Sequence, residues 1–385
     1  MPETPAPLPP IDREPPADTG GIAAPSGRSF EVALFRLVHL NPAPPPALAP
    51  PEWDAVLALV AREQIGPLAQ AGVEATRAVV SAPARAALDR LAADATSQAA
   101  AAYAQLADLA GRLREAGLAV ILLKGAALAR FTYRNDGLRP FTDLDVLVRT
   151  GEVDLAHRTL RAAGYAILGN APSAADRAWR HGRAYYDPAG RRVPVDLHWR
   201  YLGYPLIVPL NYEAIFDRAR EVAVEGAPAL VPAPADLVVA SAAAFLRDLW
   251  YGKPRLRYLR DVAEVTRAHP VDWDQVAETV RAAPLLRTPL ALVVMAAARL
   301  LGAPVPEEVA RALPPPGRSW QVLFRRVCRL LLRRVHPLEA VAQVGLMRWL
   351  DGGAGAAGEW ARSLIALPPA LAPGRRRWLR HLWQG

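Results

Sequence analysis

Two aspartates stand two residues apart in the run Asp143-Leu144-Asp145-Val146-Leu147-Val148. An extended chain puts residues i and i+2 on one face, so both carboxylates point one way while Leu144, Val146 and Val148 point the other. Their Cα atoms then lie roughly 6–7 Å apart. Carboxylates held together on an otherwise apolar strand repel each other and lose hydration, and a divalent cation relieves both penalties. A third carboxylate follows in Val193-Pro194-Val195-Asp196-Leu197-His198-Trp199, where Asp196 and His198 share the face opposite the apolar residues. Asp143, Asp145 and Asp196 offer enough hard oxygen ligands for two Mg²⁺ ions, or Mn²⁺ in their place, once phosphate and water complete the shells. That set suits in-line phosphoryl or nucleotidyl transfer.

The elements that must position these groups are short. Val120-Ile121-Leu122-Leu123 reads as a strand that enters Lys124-Gly125-Ala126 and then a helix. A glycine before a helix start offers an anion site, because free first-turn N–H groups and the helix dipole both favour phosphate. Lys124 and Arg139 are candidate phosphate contacts, and His198 a candidate nucleotide contact. Each candidate also has a plainer reading. Lys124 can snorkel from a strand end, Arg139 is one arginine among many, and His198 can be a hydrogen-bonded neighbour. Asp143 and Asp145 can line a solvated edge, and Asp196 can sit on a surface hairpin. His181 and Arg183 are open between a place in the cleft and none. Pro194, which has no amide donor, predicts an edge strand or a bulge.

Leu123-Lys124-Gly125, Arg139-Pro140 ahead of Asp143-Leu144-Asp145, Gly164-Tyr165 and Asp196-Leu197-His198-Trp199 resemble the DNA polymerase beta-like nucleotidyltransferase superfamily. Within it they look most like a bacterial branch of uncharacterised nucleotidyltransferases. The resemblance covers about residues 116–200, and Leu256-Arg257-Tyr258-Leu259-Arg260-Asp261 is similar to a helical segment downstream of that core. It implies an NTP-dependent, pyrophosphate-releasing transferase with the three aspartates as metal-binding catalytic residues. Many members carry Gly-Ser at the turn where this chain has Gly125-Ala126, which keeps backbone donors and loses a hydroxyl. Where relatives often carry a histidine in the helix before Leu256, this chain has Ala244.

With 385 residues, 52% of them hydrophobic, the chain can bury a sizeable core. Its net charge of +9 is almost all arginine, Lys124 and Lys253 being the only lysines. A basic balance is compatible with polyanionic partners and names none. No apolar run reaches the ~18 residues of a membrane span, no signal pattern opens the chain, and the single Cys328 excludes an internal disulfide. The expected location is cytoplasmic.

The expected fold is α+β: a small mixed sheet flanked by helical regions. The expected units are a disordered proline-rich tail over 1–28, an N-terminal helical region over 29–115, a catalytic core over 116–232 and a C-terminal helical domain over 233–385. Edge strands are expected at Glu221–Val224 and Leu230–Val231, and a hairpin is expected to present Asp196. The basic and aromatic residues from Arg375 to Trp383 read either as a contact for a polyanion or membrane surface or as part of the core. The expected activity moves a nucleoside monophosphate from a triphosphate such as ATP to a hydroxyl on a small molecule, a peptide or protein, or an RNA. The alternatives are an inactive nucleotide- or partner-binding scaffold and a small-molecule phosphotransferase.

Overall fold

The apolar run before Lys124 and the alternating run after Asp143 pair with each other in the computed structural model, which describes residues 28–365 apart from 168, 204, 314–317 and 333–334. Strand β1 (Ile121–Leu122) is antiparallel to β2 (Leu144–Leu147). On its other side β2 is parallel to β5 (Val195–His198). With β3 (Ala166–Ile167), β4 (Gly182–Tyr186), β6 (Arg220–Val224) and β7 (Ala227–Val231) they form a seven-stranded mixed sheet in the order β3-β4-β5-β2-β1-β7-β6. The fold is therefore the expected mixture of helices around a mixed sheet.

Two strand expectations need correction. Pro194 does not mark an edge, because β5 lies inside the sheet between β4 and β2. The proline stands just before the first ladder residue, where only its carbonyl is used, accepting from the Leu144 N–H at 2.8 Å. Nor is β7 an edge. It pairs parallel with β1 through Leu230 and Ile121, and only β6 closes that side.

Before the sheet come α1 (Ser29–Leu37), α2 (Pro50–Glu63), α3 (Gly66–Thr76) and α4 (Ala82–Glu115). Pro50 and Pro51 occupy the first turn of α2, where a missing amide costs nothing. Gln64, in a left-handed conformation at φ 56°, breaks α2 from α3. Between strands lie α5 (Lys124–Phe131), α6 (Val153–Ala162), α7 (Ala174–Trp179) and α8 (Tyr212–Arg218). After β7 come α9 (Pro234–Trp250), α10 (Leu256–Ala268), α11 (Trp273–Ala282), α12 (Arg287–Leu301), α13 (Glu307–Ala312), α14 (Arg318–Leu330) and α15 (Pro337–Ile365). Pro284–Leu301 is long and apolar enough to cross a membrane, contrary to the reading of the bare sequence. Here it is mostly buried, its second turn onward forming α12, which packs on α9 and α10.

The sheet buries both faces. Leu122, Leu144, Val146, Val195 and Leu197 meet Tyr103, Leu106 and Leu113 of α4 and Val153, Ala156 and Leu160 of α6. Ile121, Leu123 and Leu147 look the other way, into a larger core that draws on α1–α3 and on α9–α12. Each fully buried leucine in these layers stabilises the fold by about 1.5–3 kcal/mol. The N-terminal helices are also tied to α10 by polar contacts. The buried Glu63 carboxylate accepts from the Leu256 N–H at 2.7 Å, Arg255 donates to the Arg62 carbonyl at 2.7 Å, and Arg257 donates to Gln64. Arg325, Arg326 and Arg329 lie on the exposed face of α14. The expected tail, apart from Arg28, and the Arg375–Trp383 segment lie outside the described residues.

Candidate active site

Parallel pairing of β2 with β5 puts Asp145 directly beside Asp196, and Leu147 beside His198. A strand's side chains alternate, so Asp145, Asp196 and His198 all emerge on one face. The His198 Nε2 atom lies 2.7 Å from Asp145 Oδ1 and 3.2 Å from Asp196 Oδ2. Lys124 opens α5 with φ 47°, a left-handed backbone that costs a residue with a Cβ about 1–2 kcal/mol. From there its Nζ donates to Asp145 Oδ1 at 2.5 Å and lies 3.3 Å from His198 Nε2. Asp143 sits one residue before β2.

Charge in this cluster is tightly linked. Burial would raise the Asp145 carboxyl, but Lys124, and then His198, outweigh it and hold the group well below the usual carboxylate range. Asp196 is likewise depressed, burial opposing and His198 the chief counterweight. Burial and Lys124 disfavour a charged His198; Asp196 and Asp145 overcome both and raise its pKa. Asp143 moves the other way, raised first by burial and then by the charges of Asp145 and Asp196. It therefore stands in the field of both other carboxylates.

The turn after β1 departs from expectation in detail. A Cβ on Gly125 would lie 2.4 Å from Phe141 Cβ, so this glycine permits the close approach of the segment leading to Asp143. Gly125 and Ala126 are both buried, and the Ala126 carbonyl accepts from the Tyr103 hydroxyl at 2.8 Å. The first turn of α5 has no side-chain cap, so its amides are not spent on one.

Arg139, expected as a phosphate contact, is engaged by α10. Its Nε and Nη2 donate to the two oxygens of Asp261 at 2.6 and 2.8 Å, and its Nη1 donates to the Pro140 carbonyl at 2.8 Å. Arg139 is 3% exposed, and α10 supplies its partner. The Tyr133 hydroxyl adds a bond to Asp261 at 2.9 Å. Arg183 is likewise turned aside, to Asp176 at 2.7 Å. His181 joins the cluster, its ring centroid 5.3 Å from that of His198.

Two arginines not picked out as candidates from the sequence act on these carboxylates through their charge. The charge of Arg257, on the first turn of α10, is felt at Asp143, and that of Arg247, near the end of α9, at Asp145 and His181. The signal for Arg257 was its spacing of four from Asp261, which places both on one face of α10. Nothing local distinguishes Arg247 from the other arginines. Beside Lys124, the small side chain of Ala244 leaves a cavity of about 10 Å³, bounded also by Ser241, Tyr258 and Asp261. That is room for about one water molecule.

The model of a family described as uncharacterised nucleotidyltransferase matches residues 49–302, and the chain belongs to that family. An antigenic nucleotidyltransferase-like protein from Paracoccidioides brasiliensis is similar in structure, with a TM-score of 0.32 and 15% identity over 49% of this chain and 92% of that one. No curated protein matches.

Proposed function

We propose that the chain is a divalent-metal-dependent nucleotidyltransferase that moves a nucleoside monophosphate from a triphosphate to a hydroxyl acceptor. The observation that carries this reading is the in-register pairing of Asp145 with Asp196, with Asp143 in their shared field. The donor chemistry fits hard cations: Asp145 and Asp196 stand side by side with Asp143 in their field, and the charges set against the pair at contact distance among the described residues are Lys124 and His198. Asp143, Asp145 and Asp196 would hold Mg²⁺ or Mn²⁺. Bound divalent ions supply neutralisation of the triphosphate and activation of the acceptor oxygen.

The protein's own side chains then have separate tasks. Asp145 and Asp196 project from neighbouring strands of a buried sheet, so their spacing is set before substrate arrives. Lys124 at contact, with the charges of Arg247 and Arg257 acting from farther off, gives the site a positive field suited to the triphosphate and to the departing pyrophosphate. In the reaction the acceptor oxygen bonds to the α-phosphorus, the bond from that phosphorus to the bridging oxygen breaks, and the acceptor proton passes to solvent or a carboxylate. ATP is one candidate donor; the acceptor is a hydroxyl on a small molecule, a peptide or protein, or an RNA.

One observation favours a second reading, a binding scaffold without turnover: the turn has no hydroxyl at Ala126, and Gly125 and Ala126 are both buried. Incubation with each labelled nucleoside triphosphate, Mg²⁺ or Mn²⁺ and cell extract separates the two. Transferred label and released pyrophosphate are expected, with Asp196→Asn slowing turnover by at least about a hundredfold while triphosphate binding changes little. Nucleotide binding with no transfer would leave the scaffold.

A further inference from the structure

Around Asp196 lies a donor set of which the transferase chemistry uses only that carboxylate. His181, Asp196 and His198 each bring one ligand atom within 4.8 Å of the others. The backbone builds this grouping. Asp196 and His198 share a face of β5, and Gly182, which follows His181, is the strand partner of His198. A Cβ on Gly182 would lie 2.6 Å from the Leu197 carbonyl oxygen, so only glycine lets β4 come this close. The His181 carbonyl accepts from the Trp199 N–H at 3.0 Å, which locks the residue in that register. Gly203 backs the His181 ring, where a Cβ would meet Nδ1 at 3.2 Å. His198 is fully buried, and its Nδ1 has no hydrogen-bond partner among the described residues.

Two imidazoles with one carboxylate are a poor set for Mg²⁺, which takes oxygen ligands and keeps its water. They suit a divalent transition ion, for which neutral imidazole is a favoured ligand. We infer that His181, Asp196 and His198 form a site for a divalent transition metal ion, distinct in selectivity from the Asp143–Asp145 oxygen site and joined to it through Asp196. The inference rests on the nucleotidyltransferase reading for the ion's role in the reaction, not for its binding.

Co²⁺ is the probe, because its visible bands report nitrogen ligation directly. The full chain is expected to bind Co²⁺ and to keep it in about a hundredfold excess of Mg²⁺. His181→Gln and His198→Gln should each weaken binding by about tenfold or more. Asp143→Asn, which alters the carboxylates and neither imidazole, should leave the bands in place. Co²⁺, and not Mg²⁺, should also slow acylation of His181 in the unaltered protein, a readout independent of whether the glutamine variants fold. Displacement by equimolar Mg²⁺, unchanged affinity in a cooperatively melting His181→Gln, or equal acylation with and without Co²⁺ would each overturn the inference. The two readings fail separately: absent nucleotide transfer leaves the Co²⁺ result standing, and transfer without Co²⁺ binding removes only this site.

Discussion

Two buried cation–carboxylate pairs lie on either side of the small cavity at Ala244, and they are built to opposite ends. Arg139 meets Asp261 through two parallel bonds, and Tyr133 takes a further lone pair, so both charges are saturated and sealed. Lys124 meets Asp145 through a single oxygen, shares it with His198, and keeps 18% of its side chain exposed. Arginine offers a rigid fork that matches a carboxylate; lysine offers a compact point charge on a flexible stem. The first pair holds the loop before Asp143 against α10. The second neutralises carboxylates in a way another cation can replace. A buried pair is thus no guide to role until its remaining lone pairs are followed.

Substitutions can test that division, beginning with the largest effect. Asp145→Asn should lower nucleotide transfer by about a thousandfold or more, with the fold retained on a melting curve, since it removes the charge shared by Lys124 and His198. Wild-type rates in that variant would mean the replaceable pair is structural after all. Arg139→Met should instead cost about 3–5 kcal/mol in denaturant unfolding, because it strands the buried Asp261 charge. Adding Asp261→Leu should return most of that loss. A double variant as unstable as the single one would show that the Arg139 pair does more than balance charge.

Smaller effects sharpen the contrast. Lys124→Met removes the competitor for Asp145, so Mg²⁺ or Mn²⁺ should raise the melting temperature of this variant more than that of the wild type. A smaller cation-induced rise would make Lys124 part of the binding site for the ion. A third carboxylate, Asp351, has half a partnership: one oxygen accepts from the Thr288 N–H and hydroxyl at 2.9 and 2.6 Å, the other from nothing among the described residues. Burial pushes it up to about 6, against the bonds from Thr288 and the charge of Arg348. Between about pH 4 and 6 the folded chain keeps this proton while the unfolded chain releases it. Its contribution is therefore full below about pH 4, falls as pH rises, and stays low above 6. Asp351→Asn should stabilise the protein by about 1 kcal/mol at pH 7 and by nothing near pH 4.

Much of the sheet was readable from local pattern. The alternation around Asp145 marks a strand by a rule that acts over a few residues. What could not be read was pairing at a distance. Pro194 looked like an edge signal because nothing local reveals that β4 and β2 flank β5. Arg139 looked like a phosphate contact because its partner, Asp261, lies 122 residues on. His181 was undecided until the β4–β5 register set it against His198. In the same way, Asp143, Asp145 and Asp196 could be chosen by type and spacing, whereas the adjacency of Asp145 and Asp196 is a product of parallel strand order.

The contacts from α2 to the start of α10 also set a timetable for the nascent chain. Glu63 waits for the Leu256 amide, and Arg62 for Arg255, each 193 residues downstream. At about 5–20 residues per second, roughly 10–40 s pass between synthesis of the first partner and synthesis of the second. During that interval the first helices leave the ribosome with the Glu63 carboxylate, destined for burial, still without the Leu256 amide. The protein is therefore completed late, when α10 arrives, and ribosome-bound chains that stop short of Leu256 should be the ones that recruit chaperones most strongly.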